Sequence, residues 1–340
     1  MKKTVCCIIA LLLAISLFGC GTEGYTDRVI KGKSAYVTLR MSKVSSSGKP
    51  FSGDFFNNVA DGCGRLVAKC DKLMSHFGDE SQIYALNNTV DMIVSPDDSL
   101  VSVLTSAINL SKQTGGAYSP AAGGLEMLWA SEGTPDDEEI TEALKHTDTD
   151  LLRIGKEKIT RTDPLCYVDL SGISEGFGAQ KLIEYLSAAE VSYGVVSFGD
   201  SVGVFGEKSD GEDFKIGIKS PEDPETTLAY LHITSGFVSV YDTSGDSTII
   251  DPTTGHPAKS GTISVTVRSG NGATSDGLSE ALMVLGEAGT AELYDAGTLS
   301  FEAVLINENG EIILTDGISE EDFELLIDGY TVRKIKREAE

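Results

Sequence analysis

Basic charge is what this chain most lacks. Only 27 Lys and Arg stand against 52 Asp and Glu in 340 residues, a formal charge of -25. Gripping a phosphate backbone needs a basic face, so nucleic acid is set aside as a partner. Cysteine is also scarce. Cys6 and Cys7 fall in an N-terminal leader, and Cys63, Cys70 and Cys166 form no C-x-x-C pair and have no metal-ligand spacing. Their odd number cannot complete a disulfide framework. Cys63 and Cys70 stand seven apart, about two helical turns, too far to bridge within one helix. There is no 20 to 50 residue repeat and no low-complexity tract, which excludes solenoids and arrays. What remains, 41% hydrophobic and 23% charged residues, is the composition of a globular protein with a real core.

One apolar run is conspicuous. Val5 to Phe18 follows Lys2 and Lys3 and is too short to span a bilayer stably, which is the pattern of a signal peptide. It ends Leu17-Phe18-Gly19-Cys20, which resembles a lipobox. The expectation is a leader over 1–19, a lipidated Cys20 opening a polar tether over 20–33, and a folded domain over 34–336. Such a protein sits on the extracytoplasmic face of the cell membrane, held by its N-terminal lipid.

Within the domain, Ser34 to Met41 reads as the first strand. Val59, Leu66, Val67, Leu73 and Met74 recur at helical intervals and predict a helix over Asn57 to Phe77. Further helices are predicted over Val101 to Leu110 and after Thr134-Pro135-Asp136-Asp137, where proline comes early and acids fill the first turn. From Cys166 on, strand-like runs alternate with glycine turns: Cys166–Leu170, Gly194–Phe198, Phe214–Ile218, Leu228–Ile233, Phe237–Val240, Ile263–Val267 and Ala303–Ile306. Two helices interrupt them, near Glu175–Glu190 and Asp276–Leu285. The fold class is α+β, a mostly antiparallel sheet with flanking helices in a single domain.

Three serine motifs invite a hydrolase reading. Gly172-Ile173-Ser174-Glu175-Gly176 matches the G-x-S-x-G elbow, but an α/β-hydrolase also needs an acid and then a late His, and His232 and His256 have no clear partner pattern. Gly199-Asp200-Ser201-Val202-Gly203 imitates a protease serine loop, yet His76 and His146 lie in helical or loop segments rather than barrel strands. Thr243 to Ser247 is a polar turn. A serine hydrolase using Ser174 or Ser201 remains the minor alternative.

Four segments in order carry more weight. They are Gly115 to Pro120 followed by Leu128-Trp129; Val168-Asp169-Leu170-Ser171-Gly172-Ile173-Ser174-Glu175-Gly176-Phe177; Ile249-Ile250-Asp251-Pro252-Thr253-Thr254-Gly255-His256-Pro257; and Thr274-Ser275-Asp276-Gly277-Leu278-Ser279-Glu280-Ala281-Leu282. Ser81 to Asn87 adds to them. Together they resemble the ApbE-type FAD:protein FMN transferases, a family usually lipid- or membrane-attached, over about Ser34 to Ile335.

The resemblance implies transfer of FMN from FAD to a Thr or Ser hydroxyl of an extracytoplasmic electron-transfer protein, with FAD as substrate and Mg²⁺ as cofactor. It implies a catalytic, metal-binding Asp276, with Glu280 where the family has Thr and the Gly172 carbonyl completing the metal shell. Asp169 and Glu175 would contact FAD, with Phe77, Leu128, Trp129 and Ile250 about the flavin. Asp251 and Pro252 are expected to hold their loop. Phosphoryl transfer relies on charge neutralisation and positioning, and Mg²⁺ prefers oxygen donors, so two carboxylates four apart on a helix face suit it. Taken alone, acids in a first helical turn favour the macrodipole and face water. Where the family places a His before Ile-Ile-Asp-Pro this chain has Thr248, which favours, as the alternative, a flavin-binding lipoprotein without catalysis.

Overall fold

The computed structural model describes residues 24–33, 35–76, 80–88, 92–131, 133–243 and 248–337. The leader, Cys20 and Phe77 lie outside the described residues. The chain opens with β1 (Tyr25–Lys31) and β2 (Tyr36–Ser42) and continues through helices α1 (Gly53–Met74), α2 (Gln82–Asn88), α3 (Asp98–Gln113), α4 (Gly123–Trp129) and α5 (Asp137–Leu144). Beside them β3 (Met92–Val94), β4 (Leu152–Ile154) and β5 (Lys158–Arg161) form a small sheet. Helix α6 (Ser171–Ala188) leads into β6 (Gly194–Phe198), β7 (Ser201–Phe205), β8 (Phe214–Lys219), β9 (Thr227–Ile233), β10 (Gly236–Asp242) and β11 (Thr262–Ser269). Helix α7 (Gly272–Ala296) precedes β12 (Glu302–Asn307), β13 (Glu311–Thr315), β14 (Phe323–Leu325) and β15 (Thr331–Ile335).

The main sheet has nine strands in the order β1-β2-β6-β7-β10-β11-β12-β13-β15. Every pairing in it is antiparallel except β13 with β15. The fold is therefore α+β, as the pattern of strand-like runs and helices predicts. Successive side chains on a strand face opposite ways, and here both faces are covered. Val195 of β6 joins the core shared with the sheet β14-β9-β8, whereas Val196 joins the core shared with α1 and α6. That is why β6 and β7 are buried at every position and read as apolar runs without alternation.

Three expectations are corrected. The segment expected as a polar tether over 20–33 contains a strand, because Tyr25–Lys31 pairs along its length with β2; the strand's residues largely alternate half-buried with exposed, as an edge strand's do, and polarity alone hides it. Cys166–Leu170 is irregular and belongs to no sheet. Its backbone is satisfied otherwise: the Asn87 amide donates to the Val168 carbonyl at 2.7 Å and accepts from the Val168 N–H at 2.8 Å, and the Asp169 N–H reaches the Pro120 carbonyl at 2.9 Å. Finally, Asp276 is not in a first turn. Helix α7 starts at Gly272, capped by the Asn271 side chain on the Thr274 N–H, which leaves Asp276 one turn inside and only 8% exposed.

Candidate active site

Helices α6 and α7 touch backbone to backbone. A Cβ at Gly176 would overlap the Gly272 carbonyl, and one at Gly272 would overlap the Gly176 carbonyl, so only glycine at both positions allows this approach. The close crossing lets Asp276 Oδ2 accept the Gly176 N–H at 2.9 Å. One turn further on, Glu280 lays its carboxylate over the Cα of Gly172, a seat that a Cβ there would fill. The carbonyl of Gly172 faces α7, 3.6 Å from where a Cβ of Gly277 would stand. Glu175 turns the other way, covers Gly199 and accepts the Asp200 N–H at 2.8 Å.

Between these groups and the Ile249–Pro257 loop opens a cleft of about 660 Å³, lined by Glu126, Trp129, Gly172, Glu175, Asp200, Tyr241, Thr248, Ile250, Asp276 and Glu280 among others. A second depression of about 440 Å³ adjoins it across Ser171 and Glu175, lined on its far side by Lys33, Lys72, His76 and Ser174. The loop is held as the sequence suggests. Asp251 accepts from the Thr253 N–H at 2.8 Å and from the Thr254 hydroxyl at 3.0 Å, while Trp129 Nε1 donates to the Gly255 carbonyl at 2.8 Å.

Among the described residues no Lys or Arg lines the cleft, and its acids repel one another. Burial first, then the charges of Asp276 and Asp200, push Glu175 up to about 8. Burial likewise raises Asp276 to about 7 against the opposing hydrogen bond from Gly176. Glu280 rises well above the ordinary carboxylate range, through burial and the charges of Glu126, Asp169 and Asp276. Asp169 goes the other way: burial opposes its ionisation, but His76 at 3.1 Å and the Ser171 N–H at 2.7 Å outweigh it and lower the carboxyl. Oxyanions without a counter-cation in a partly desolvated cleft are costly, so the site is poised to receive positive charge.

Residues 36–305 match the ApbE family. The chain belongs to that family. A relative from Haemophilus influenzae, named FAD:protein FMN transferase, is 26% identical over 335 residues, covering 91% of this chain and 95% of the relative. One of the same name from Vibrio cholerae is 27% identical over 321 residues, covering 89% and 94%. Among solved structures, the ApbE protein of Thermotoga maritima superposes with a TM-score of 0.75 at 23% identity, over 86% of this chain and 97% of that one. The flavin transferase ApbE of Vibrio cholerae gives 0.72 at 22% identity, over 89% and 96%. These two share the fold.

The ApbE-like segments thus converge on one place. Gly172, Glu175, Asp276, Glu280, Trp129 and Ile250 line the cleft together, though they span about 150 residues of chain. Asp169 stands behind the wall with His76. Leu128 does not come to the cleft: neighbours on a helix point about 100° apart, so with Trp129 facing inward it lines a separate depression with Met127, Leu165 and His146. Sequence reasoning missed Glu126, Asp200, Tyr241, His76 and Tyr118. Asp200 follows a glycine turn and Tyr118 precedes Pro120, but no periodicity marks either as a site residue. The serine motifs carry no nucleophile geometry. Ser201 is wholly buried and shares a hydroxyl chain with Ser239 and Ser275, at 2.7 and 2.9 Å, and the hydroxyl of Ser174 donates to the Ser171 carbonyl at 3.5 Å.

Proposed function

We propose that this ApbE-family chain is a Mg²⁺-dependent FAD:protein FMN transferase, acting from the extracytoplasmic face of the membrane through a lipid on Cys20. The observation that carries this reading is the convergence of Asp276, Glu280 and the Gly172 carbonyl at the wall of one acid-lined cleft. All three donors are oxygen, which suits a hard cation that keeps several waters. No cluster of three or more acid, His or Cys side chains forms a metal site among the described residues, so two carboxylates and a carbonyl would share the ion. Once bound, the ion neutralises charge on the pyrophosphate.

The chain's own groups do the rest. The cleft and the adjoining depression give the dinucleotide room on both sides of the α6 start. The acceptor hydroxyl oxygen bonds to the FMN phosphorus, the bond from that phosphorus to the bridging oxygen breaks, and the bridging oxygen leaves with AMP. The hydroxyl proton goes to a cleft carboxylate, since Thr248 cannot hold it near neutral pH. Thr248 at the cleft mouth also supports a second reading, a flavin-binding ApbE-family member without catalysis.

The test is to incubate the full chain, purified in detergent, with FAD, Mg²⁺ and an acceptor protein carrying a flavinylation motif, alongside Asp276→Ala. AMP release and a fluorescent acceptor band, both lost in the variant, are expected. FAD binding with neither product selects the second reading, and absence of flavin binding overturns both.

A further inference from the structure

Tyr118 is 3% exposed, and its hydroxyl has no hydrogen-bond partner among the described residues. A buried donor left unpaired is uncommon and calls for an explanation. The phenol lies among the cleft acids, with Glu280 the strongest field upon it, ahead of Asp276, Asp169 and Glu126. Its ring edge and the Glu280 carboxylate share one flank of Gly172: a Cβ there would overlap Glu280 Oε2 and stand 3.3 Å from Tyr118 Cε2. Glu280 for its part lines the cleft under the charges of Glu126, Asp169 and Asp276. An unpaired donor thus sits beside a carboxylate.

We propose that the Tyr118 hydroxyl is the donor that seats the Glu280 carboxylate when a divalent cation enters the cleft, which makes Tyr118 a positioning residue. This rests on the cation-dependent reading above. The Glu280 carboxylate rests against Gly172, on the flank that also holds the Tyr118 ring edge. With a cation held by Asp276 and Glu280, the phenol would donate to one Glu280 oxygen and leave the other for the ion. Such a bond fixes a long, otherwise free side chain in one rotamer, and a fixed ligand binds more tightly than a mobile one.

Mn²⁺ affinity, read by electron paramagnetic resonance on the full chain in detergent, tests this without any turnover. Tyr118→Phe is expected to weaken Mn²⁺ binding about five- to tenfold, the size of one net hydrogen bond, and to do so no longer in a Glu280→Gln background. Equal loss in both backgrounds, or no loss in either, overturns the proposal. Without cation, Tyr118→Phe should keep or raise the melting temperature; a fall means that the hydroxyl is already satisfied in the ligand-free protein, which also overturns it. Asp276→Ala separates the two readings. If that variant still binds Mn²⁺ as the parent does, the cation-dependent function itself fails, whereas loss there with an unchanged Tyr118→Phe removes only the role given to Tyr118.

Discussion

Both faces of the nine-stranded sheet are packed with apolar side chains, but only one of them also carries the candidate site. On one, the sheet β14-β9-β8 closes over a core of Ile216, Ile218, Leu231, Val304 and Ile306, each no more than 4% exposed. On the other, α6 and α7 meet through bare glycine backbone, and the space gained is given to Asp276, Glu280 and Glu175. Both faces gain stability from apolar burial, about 25 cal/mol per Å² removed from water; on the helical side Val265, Val267 and Leu305 share a core with Phe177, Leu278 and Leu282. The helical side also holds raised, mutually repelling carboxylates that cost stability until something positive arrives. Apolar burial on both faces thus offsets what the acids of one withhold.

Variants on the two faces should therefore fail differently. Leu231→Ala, at a fully buried position, should cost about 2–5 kcal/mol of stability, yet leave Mn²⁺ affinity unchanged below the lowered melting temperature; denaturant unfolding and paramagnetic resonance check the pair. Weakened ion binding in that variant would mean that the faces are not independent. Gly176→Ala should do the reverse. Its methyl meets the Gly272 carbonyl and Asp276 Cβ, so a stability loss of about 1–3 kcal/mol should accompany loss of cation binding.

The pH dependence sharpens the contrast. Glu175 and Asp276 have folded values of about 8 and 7, raised from 4.5 and 3.8, so between pH 5 and 8 the folded state binds more protons than the unfolded state. Stability of the ligand-free protein should then fall as pH rises through that window, and His76, raised by Asp169 against the opposing effect of burial, acts in the same direction. Saturating Mg²⁺ should flatten the slope, which thermal melts from pH 5 to 8 would reveal; an unchanged slope would place the ion elsewhere. The smallest effect is expected at the loop. Asp251→Ala removes the bonds to Thr253 and Thr254 and should cost about 1 kcal/mol, while raising the KM for FAD more than it lowers kcat.

How much of this could be read in the chain varies by element. The α1 periodicity and the helix start near Thr134–Asp137 were plain, because they are local: an apolar stripe, and a proline with acids at a first turn that the structure shows capped by Asp136. β1 was hidden, since a polar edge strand differs from a tether only by the partner it finds. Cys166–Leu170 looked like a strand because it is a short, mostly apolar run, but its partners are the Asn87 side chain and Pro120, which no pattern within the segment reveals. Among site residues, Gly172, Glu175, Asp276 and Glu280 were legible through ordered segments, while Leu128 was assigned with its neighbour Trp129 and parted from it by the turn of α4.

What the sequence determined alone was the α+β alternation and the ordered segments that mark the family, because each is written in composition or local spacing. Tertiary structure decided that Asp276 is buried rather than a solvated first-turn acid, that Glu280 rests on Gly172, and that the Tyr118 hydroxyl stands unpaired beside it. These facts arise only where α6 and α7 meet, and the charge state of a carboxylate depends on the solvent and neighbours that such a meeting removes or supplies.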